Sequence, residues 1–188
     1  MLSGKQTQLI VAILLFSILG AFFYFTPKLT SFGLSADGGI GADFKVSDAR
    51  LMDTSNKHRS LAEFSKENLL IYFGYPNCPK VCPLAIKELN KVVNHKGHSI
   101  KVIFINIDTS EESQKALQSF LSNFSSKIIG LNSGQDSTLK VATNFKNSIR
   151  RGFEGHLNIT YYLDKGLVVK KIYNKFNAEK FIKVNLKK

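Results

Sequence analysis

Two near-continuous apolar runs, at residues 69–74 (Leu-Leu-Ile-Tyr-Phe-Gly) and 101–107 (Lys-Val-Ile-Phe-Ile-Asn-Ile), constrain the fold most. Runs this short, without polar alternation, read as strands covered on both faces, as in sheets flanked by helices. Between them, residues 83–94 carry Leu84, Ile86, Leu89, Val92 and Val93 near helical spacing. Pro83 is expected at the first helical position, where its missing N–H costs nothing. Residues 108–124 predict a second helix, with Ser110 as N-cap, Glu111 and Glu112 in the first turn, and Leu117, Phe120, Leu121 and Phe124 inward. A strand at 128–131, a helix at 136–145, a hairpin of 159–163 with 167–173 around Asp164-Lys165-Gly166, and a helix at 177–186 follow. With Phe44-Lys45-Val46 opening the domain, the order predicts an α/β sandwich with a central mixed sheet flanked by helices.

The 188 residues allow one membrane anchor and one domain of ordinary size. After an N-terminal tail at 1–8, residues 9–26 carry no charge and would span ~27 Å as a helix, close to a bilayer core. A cleaved signal peptide fits less well, because the run ends in Phe22-Phe23-Tyr24-Phe25 where a signal peptidase needs small residues. The expectation is one transmembrane helix, then a flexible linker at 27–40 with Gly33, Gly38 and Gly39, then the domain at 41–188. Flanking charge barely sets orientation. A single N-terminal anchor usually leaves the following domain across the membrane, in a bacterial periplasm or a mitochondrial intermembrane space, where disulfides are permitted.

The chain is strongly basic, with 26 Lys and Arg against 14 Asp and Glu. The cations are scattered and lack the aromatic interleaving of single-strand binders, so no nucleic-acid partner is expected. A solvated lysine-rich surface near anionic lipid or an acidic partner accounts for the charge.

Cys78 and Cys82 are the only cysteines, set in Cys78-Pro79-Lys80-Val81-Cys82-Pro83 where a buried strand gives way to a helix. A disulfide closing so short a loop would stabilise little, so the pair is there for chemistry. Open α/β sheets place functional groups beyond the carboxyl ends of strands, and a cysteine at a helix N-terminus is favoured as thiolate. Pro79 disfavours helical geometry at Cys78, so the cysteines bracket a turned loop. Two thiolates under-coordinate a metal, which directs attention to the histidines. His58 lies in a polar stretch, 56–59, that reads as a loop. His95 and His98 sit at a helix C-terminus, where histidine suits the dipole. His156 follows Gly152 and Gly155 just before the strand at 159, and position alone leaves it open as a ligand.

Residues 73–83, Phe-Gly-Tyr-Pro-Asn-Cys-Pro-Lys-Val-Cys-Pro, resemble the Phe-Gly-Tyr-Thr-x-Cys-Pro-Asp-Val-Cys-Pro segment of the SCO/SenC copper chaperones. Residues 155–164, with His156 and Tyr162-Leu163-Asp164, resemble the family's Asp-His-Ser…Tyr-Leu-x-Asp stretch, and Ile107-Asp108 with Glu111 its Ile-Asp-Pro-Glu segment. The likeness runs from about Asp43 to Asn174. It implies a thioredoxin-like fold, an N-terminal anchor, and a metallochaperone that assists copper-site assembly of a cytochrome c oxidase subunit. It also implies that Cys78, Cys82 and His156 hold the copper. Thiolates select Cu(I), while the imidazole also accepts Cu(II). Three protein ligands leave a position for handover. Asp108 is a candidate acceptor fixing the His156 tautomer, against the ordinary role of a helix-start carboxylate. The chain departs from the pattern at Lys80, Gly155, Leu157 and Thr109, and losing two acidic neighbours while gaining a cation should make its site more positive.

The chief alternative is a thiol-disulfide reductase that keeps a partner's copper-ligand cysteines reduced. A general disulfide exchanger of this fold would carry a proline before the late strand, and the four prolines here, Pro27, Pro76, Pro79 and Pro83, all lie elsewhere. A peroxidase with a Thr-x-x-Cys nucleophile is disfavoured, since Tyr75 stands three residues before Cys78. A copper- or redox-sensing module would keep the same ligands.

Overall fold

A computed structural model describes residues 6, 8, 10, 13–21, 35–97, 99–132, 135–146 and 158–186. The chain divides into two compact units, Met1–Gly33 and Leu34–Lys188. In the first, the described residues of the expected anchor, 10 and 13–21, are helical with exposed apolar side chains. Among the described residues no helix is long and apolar enough to cross a membrane.

In the second unit eight strands form one mixed sheet. They are β1 (Ile40–Lys45), β2 (Arg50–Asp53), β3 (His58–Ser60), β4 (Asn68–Gly74), β5 (Ile100–Asn106), β6 (Ile128–Asn132), β7 (Thr160–Asp164) and β8 (Val168–Tyr173). Their spatial order is β1-β8-β7-β4-β5-β6-β2-β3. The apolar runs become β4 and β5, parallel and in register from Asn68 opposite Ile100 to Gly74 opposite Asn106. β6 continues the parallel set, and β7 runs antiparallel to β4.

Helices α1 (Val81–Asn94), α2 (Glu111–Ser122), α3 (Gln135–Asn144) and α4 (Ala178–Asn185) accompany the sheet. Alternation along β4 divides the core. Leu70 and Tyr72 join Ile86 and Leu89 of α1, Leu117 of α2 and Phe181 of α4 on one face. Leu69, Ile71 and Phe73 join Val141 and Phe145 on the other. Each of these β4 side chains is at most 1% exposed, and full burial of an aliphatic side chain contributes about 1.5–3 kcal/mol.

Three details differ from the sequence reading. Residues 56–59 are not simply a loop: His58 and Arg59 lie in β3, paired with β2 across a turn. These strands have four and three residues, too few for periodicity to show. The Asp53 carboxylate closes the turn by accepting from the Ser55 and Lys57 N–H groups (2.9 and 3.0 Å), and Asn56 takes a positive φ. Second, α1 begins at Val81, so Pro83 is its third residue, still within the turn whose N–H groups lack helical acceptors. Third, residues 35–40, read as linker, belong to the folded unit. Asp37 is buried there and accepts from Lys171 Nζ (2.7 Å), the Tyr173 hydroxyl (2.8 Å), Asn185 Nδ2 (2.7 Å) and Ser35.

Candidate functional site

β4 ends at Gly74, residues 75–80 turn, and α1 starts at Val81, which places both cysteines at the carboxyl end of a central strand. Cys78 is 5% exposed and Cys82 is fully buried, and the two are not joined in a disulfide. The Cys78 N–H donates to the Tyr75 carbonyl (3.2 Å), which closes the loop. The Cys82 N–H donates to Cys78 Sγ (3.3 Å), so the first turn of α1 carries one sulfur and points a backbone donor at the other. Behind them, the Tyr72 hydroxyl donates to Cys82 Sγ (3.7 Å).

Gly74 is required by this packing. A Cβ there would lie 2.8 Å from Tyr72 Cε1, 2.9 Å from Phe104 Cζ and 3.0 Å from Cys82 Sγ. Strand, aromatic rings and sulfur therefore meet in a gap that only glycine leaves open.

The two thiols differ electrostatically. Burial opposes the Cys78 thiolate, but the Cys82 thiol and the N–H groups of Cys82, Lys80 and Val81 donate to it and bring its pKa below the ordinary cysteine value. Burial, reinforced by the hydrogen bond to Cys78, pushes Cys82 up to about 12. Burial and then Cys78 raise Tyr75 as well, keeping it a neutral donor. The arrangement sets a slightly exposed sulfur that is eased toward the thiolate against a fully buried one that stays protonated.

Next to Gly74 in the sheet lies Asn106, fully buried. Its amide donates to Asn132 Oδ1 (3.0 Å) and Ser113 Oγ (3.2 Å), and its Oδ1 accepts from the Asp108 N–H (3.1 Å). This network pins the ends of β5 and β6 to the start of α2. Sequence reading did not single out Asn106, Asn132 or Ser113; one amide closing an apolar run was the available signal. The Asp108 carboxylate accepts from the Ser110 N–H (2.9 Å), the helix-start role.

The structure thus brings Cys78 and Cys82 together. His156, with Gly155 and Leu157, lies outside the described residues. Thr160 opens β7 opposite Tyr72, so β7 begins at the end of the sheet that holds the cysteines. Asn158 Oδ1 and Thr160 Oγ1 are buried there without a hydrogen-bond partner among the described residues. Among those residues no cluster of three His, Cys, Asp or Glu side chains is present. His58 lies in the β3 edge strand and His95 caps the far end of α1, both remote from the cysteines; His98 is outside the described residues.

Residues 39–183 match the family model described as SCO1/SenC. The chain belongs to the SCO1/SenC family. An SCO2-like protein of Rickettsia conorii is 32% identical over 111 residues, 57% of this chain and 51% of that one. The chain therefore spans about half the length of that SCO2-like relative. Among solved structures, copper-bound Sco1 of yeast superposes with a TM-score of 0.63 at 22% identity, covering 76% of this chain and 90% of that one. BsSco, described as a cytochrome c oxidase assembly protein with a disulfide switch, gives 0.65 at 18% identity, covering 76% and 92%. At such identities the likeness establishes the fold, a thioredoxin-like α/β sandwich with helices flanking a mixed sheet, as expected from the sequence.

Proposed function

We propose that this SCO1/SenC protein is a copper-binding metallochaperone for cytochrome c oxidase assembly, with Cys78, Cys82 and His156 as ligands and residues 9–26 as its single membrane anchor. The domain then faces a bacterial periplasm or a mitochondrial intermembrane space. The observation that supports the reading is the pair of adjacent cysteine sulfurs at the end of β4, one 5% exposed and one fully buried. Yeast Sco1, of the same fold, is described with copper bound. Copper is cargo in this reading. Two thiolates favour Cu(I), and binding displaces the proton that Cys82 carries at neutral pH.

The test is anaerobic Cu(I) titration of the full chain in detergent, with a competing Cu(I) probe. One tightly held ion per chain is expected, with at least a hundredfold loss of affinity in Cys78→Ser, Cys82→Ser or His156→Ala. Undiminished affinity in His156→Ala removes the histidine from the ligand set.

The unequal thiols favour a second reading, a reductase acting on a partner's copper-ligand cysteines. Weak copper binding together with a readily exchanged Cys78–Cys82 disulfide would move the assignment there.

A further inference from the structure

Tyr72 is a polar residue where the core has no need of one. It sits mid-β4, fully buried, on the face shared by Leu70, Ile86 and Leu89, with the Phe104 ring 5.9 Å away. Phenylalanine would fill that space without a hydroxyl to satisfy, and a buried hydroxyl left unpaired costs about 1–3 kcal/mol. The hydroxyl reaches Cys82 Sγ at 3.7 Å, through the gap that the missing Gly74 side chain keeps open. Gly74 and Tyr72 thus form one device, a strand end shaped so that a phenol meets the inner sulfur.

We propose that Tyr72 is the positioning residue for Cys82, its O–H stabilising that sulfur when it is reduced or departing. The role rests on the reading of Cys78 and Cys82 as a working dithiol. In the exchange step a partner's thiolate attacks Cys78 Sγ and forms the new S–S bond. The Cys78–Cys82 bond breaks, and its electron pair goes to Cys82 Sγ. Tyr72 donates a hydrogen bond to this leaving thiolate and keeps its own proton. Cys82 then takes its proton from the solvent, and a second partner thiolate attacks the partner's sulfur in the mixed disulfide, returning the electron pair to Cys78. A disulfide sulfur accepts a hydrogen bond poorly, so the interaction strengthens as the disulfide opens and favours the reduced form.

The experiment compares Tyr72→Phe with the parent, full-length and copper-free in detergent, equilibrated in glutathione buffers of graded ratio, with the rate of disulfide reduction by glutathione recorded. One net hydrogen bond predicts an equilibrium constant for reduction about three- to tenfold lower in Tyr72→Phe, roughly 15–30 mV more negative, and a reduction rate slower by a similar factor. The thermal midpoint of the disulfide form should not fall, since phenylalanine fills the same space. A purely structural tyrosine would lower that midpoint and leave the potential in place. Equal potentials and rates overturn the proposal, as does a parent pair that never equilibrates with glutathione. A failed copper titration leaves these measurements intact and sinks only the metal reading.

Discussion

At the scale of single residues, the site depends on what is left out as much as on what is present. Gly74 carries no side chain, and this lets Tyr72, Phe104 and Cys82 converge. Gly74→Ala places a methyl within 3.0 Å of all three, so rings and sulfur must shift, at a cost of about 1–3 kcal/mol. Its thermal unfolding midpoint should drop by several degrees. Copper affinity should drop with it, since Cys82 Sγ is among the displaced atoms. A variant with parent affinity would show that the sulfur's position is not held by this packing. The opposed pKa shifts of Cys78 and Cys82 have the same local origin. Only three residues lie between them, yet one faces a set of backbone donors and the other faces the core.

At the scale of elements, the site is an end-of-strand assembly that requires β4, β5 and β6 to stop at the same level. Asn106 secures this, because its amide joins β5 to Asn132 of β6 and Ser113 of α2, all within the buried region. Asn106→Ala leaves the partner groups unsatisfied and should cost about 2 kcal/mol by denaturant titration. The loss should exceed that of Ser110→Ala, which removes the acceptor of the Ser113 N–H at the α2 cap (3.3 Å) and should cost about 1 kcal/mol. Equal losses would mean that the buried network does no more than an ordinary helix cap. α1 needs no comparable device, since Ile86, Leu89, Val92 and Val93 bury its inner face against the sheet.

At the scale of the whole folded unit, Asp37 joins the two ends of its chain. Its carboxylate receives Lys171 and Tyr173 of β8 and Asn185 of α4, tying the segment ahead of β1 to the last strand and helix. Burial alone would raise its pKa, but donation from Lys171, Ser35, Asn185 and Tyr173 outweighs this and holds it well below the usual carboxylate range. A carboxylate depressed in the folded state stabilises fully above its unfolded pKa of about 4, and that contribution is lost as pH falls from there toward the folded value. Asp37→Asn should therefore be less stable than the parent by about 3 kcal/mol at pH 7, with the gap shrinking below pH 4. Chemical denaturation at pH 7, 5 and 3 checks both the size and the sign. A gap that widens on acidification would contradict the assignment.

The long elements and the cysteine pair were legible in the residues, because their physics is local. An unbroken apolar run has to be covered on both faces, helical spacing marks an inner face, and Asp164-Lys165-Gly166 turns a hairpin wherever it stands. Ser110 and Asn177 cap the helices that begin after them for the same reason. The short strands β2 and β3 escaped because three or four residues carry no period; their pairing is decided by β6, to which β2 is joined at Met52 and Asp53. Asp37 looked like linker, since nothing near it in sequence marks a buried anion, and its four side-chain donors include three that lie more than 130 positions away. Tyr72 looked like one more apolar strand residue until α1 brought Cys82 to its hydroxyl. Sequence alone determined which residues are chemically able to act, and the tertiary structure decided which of them meet. Patterning is written along the chain, whereas the satisfaction of buried polar groups depends on neighbours that only folding supplies.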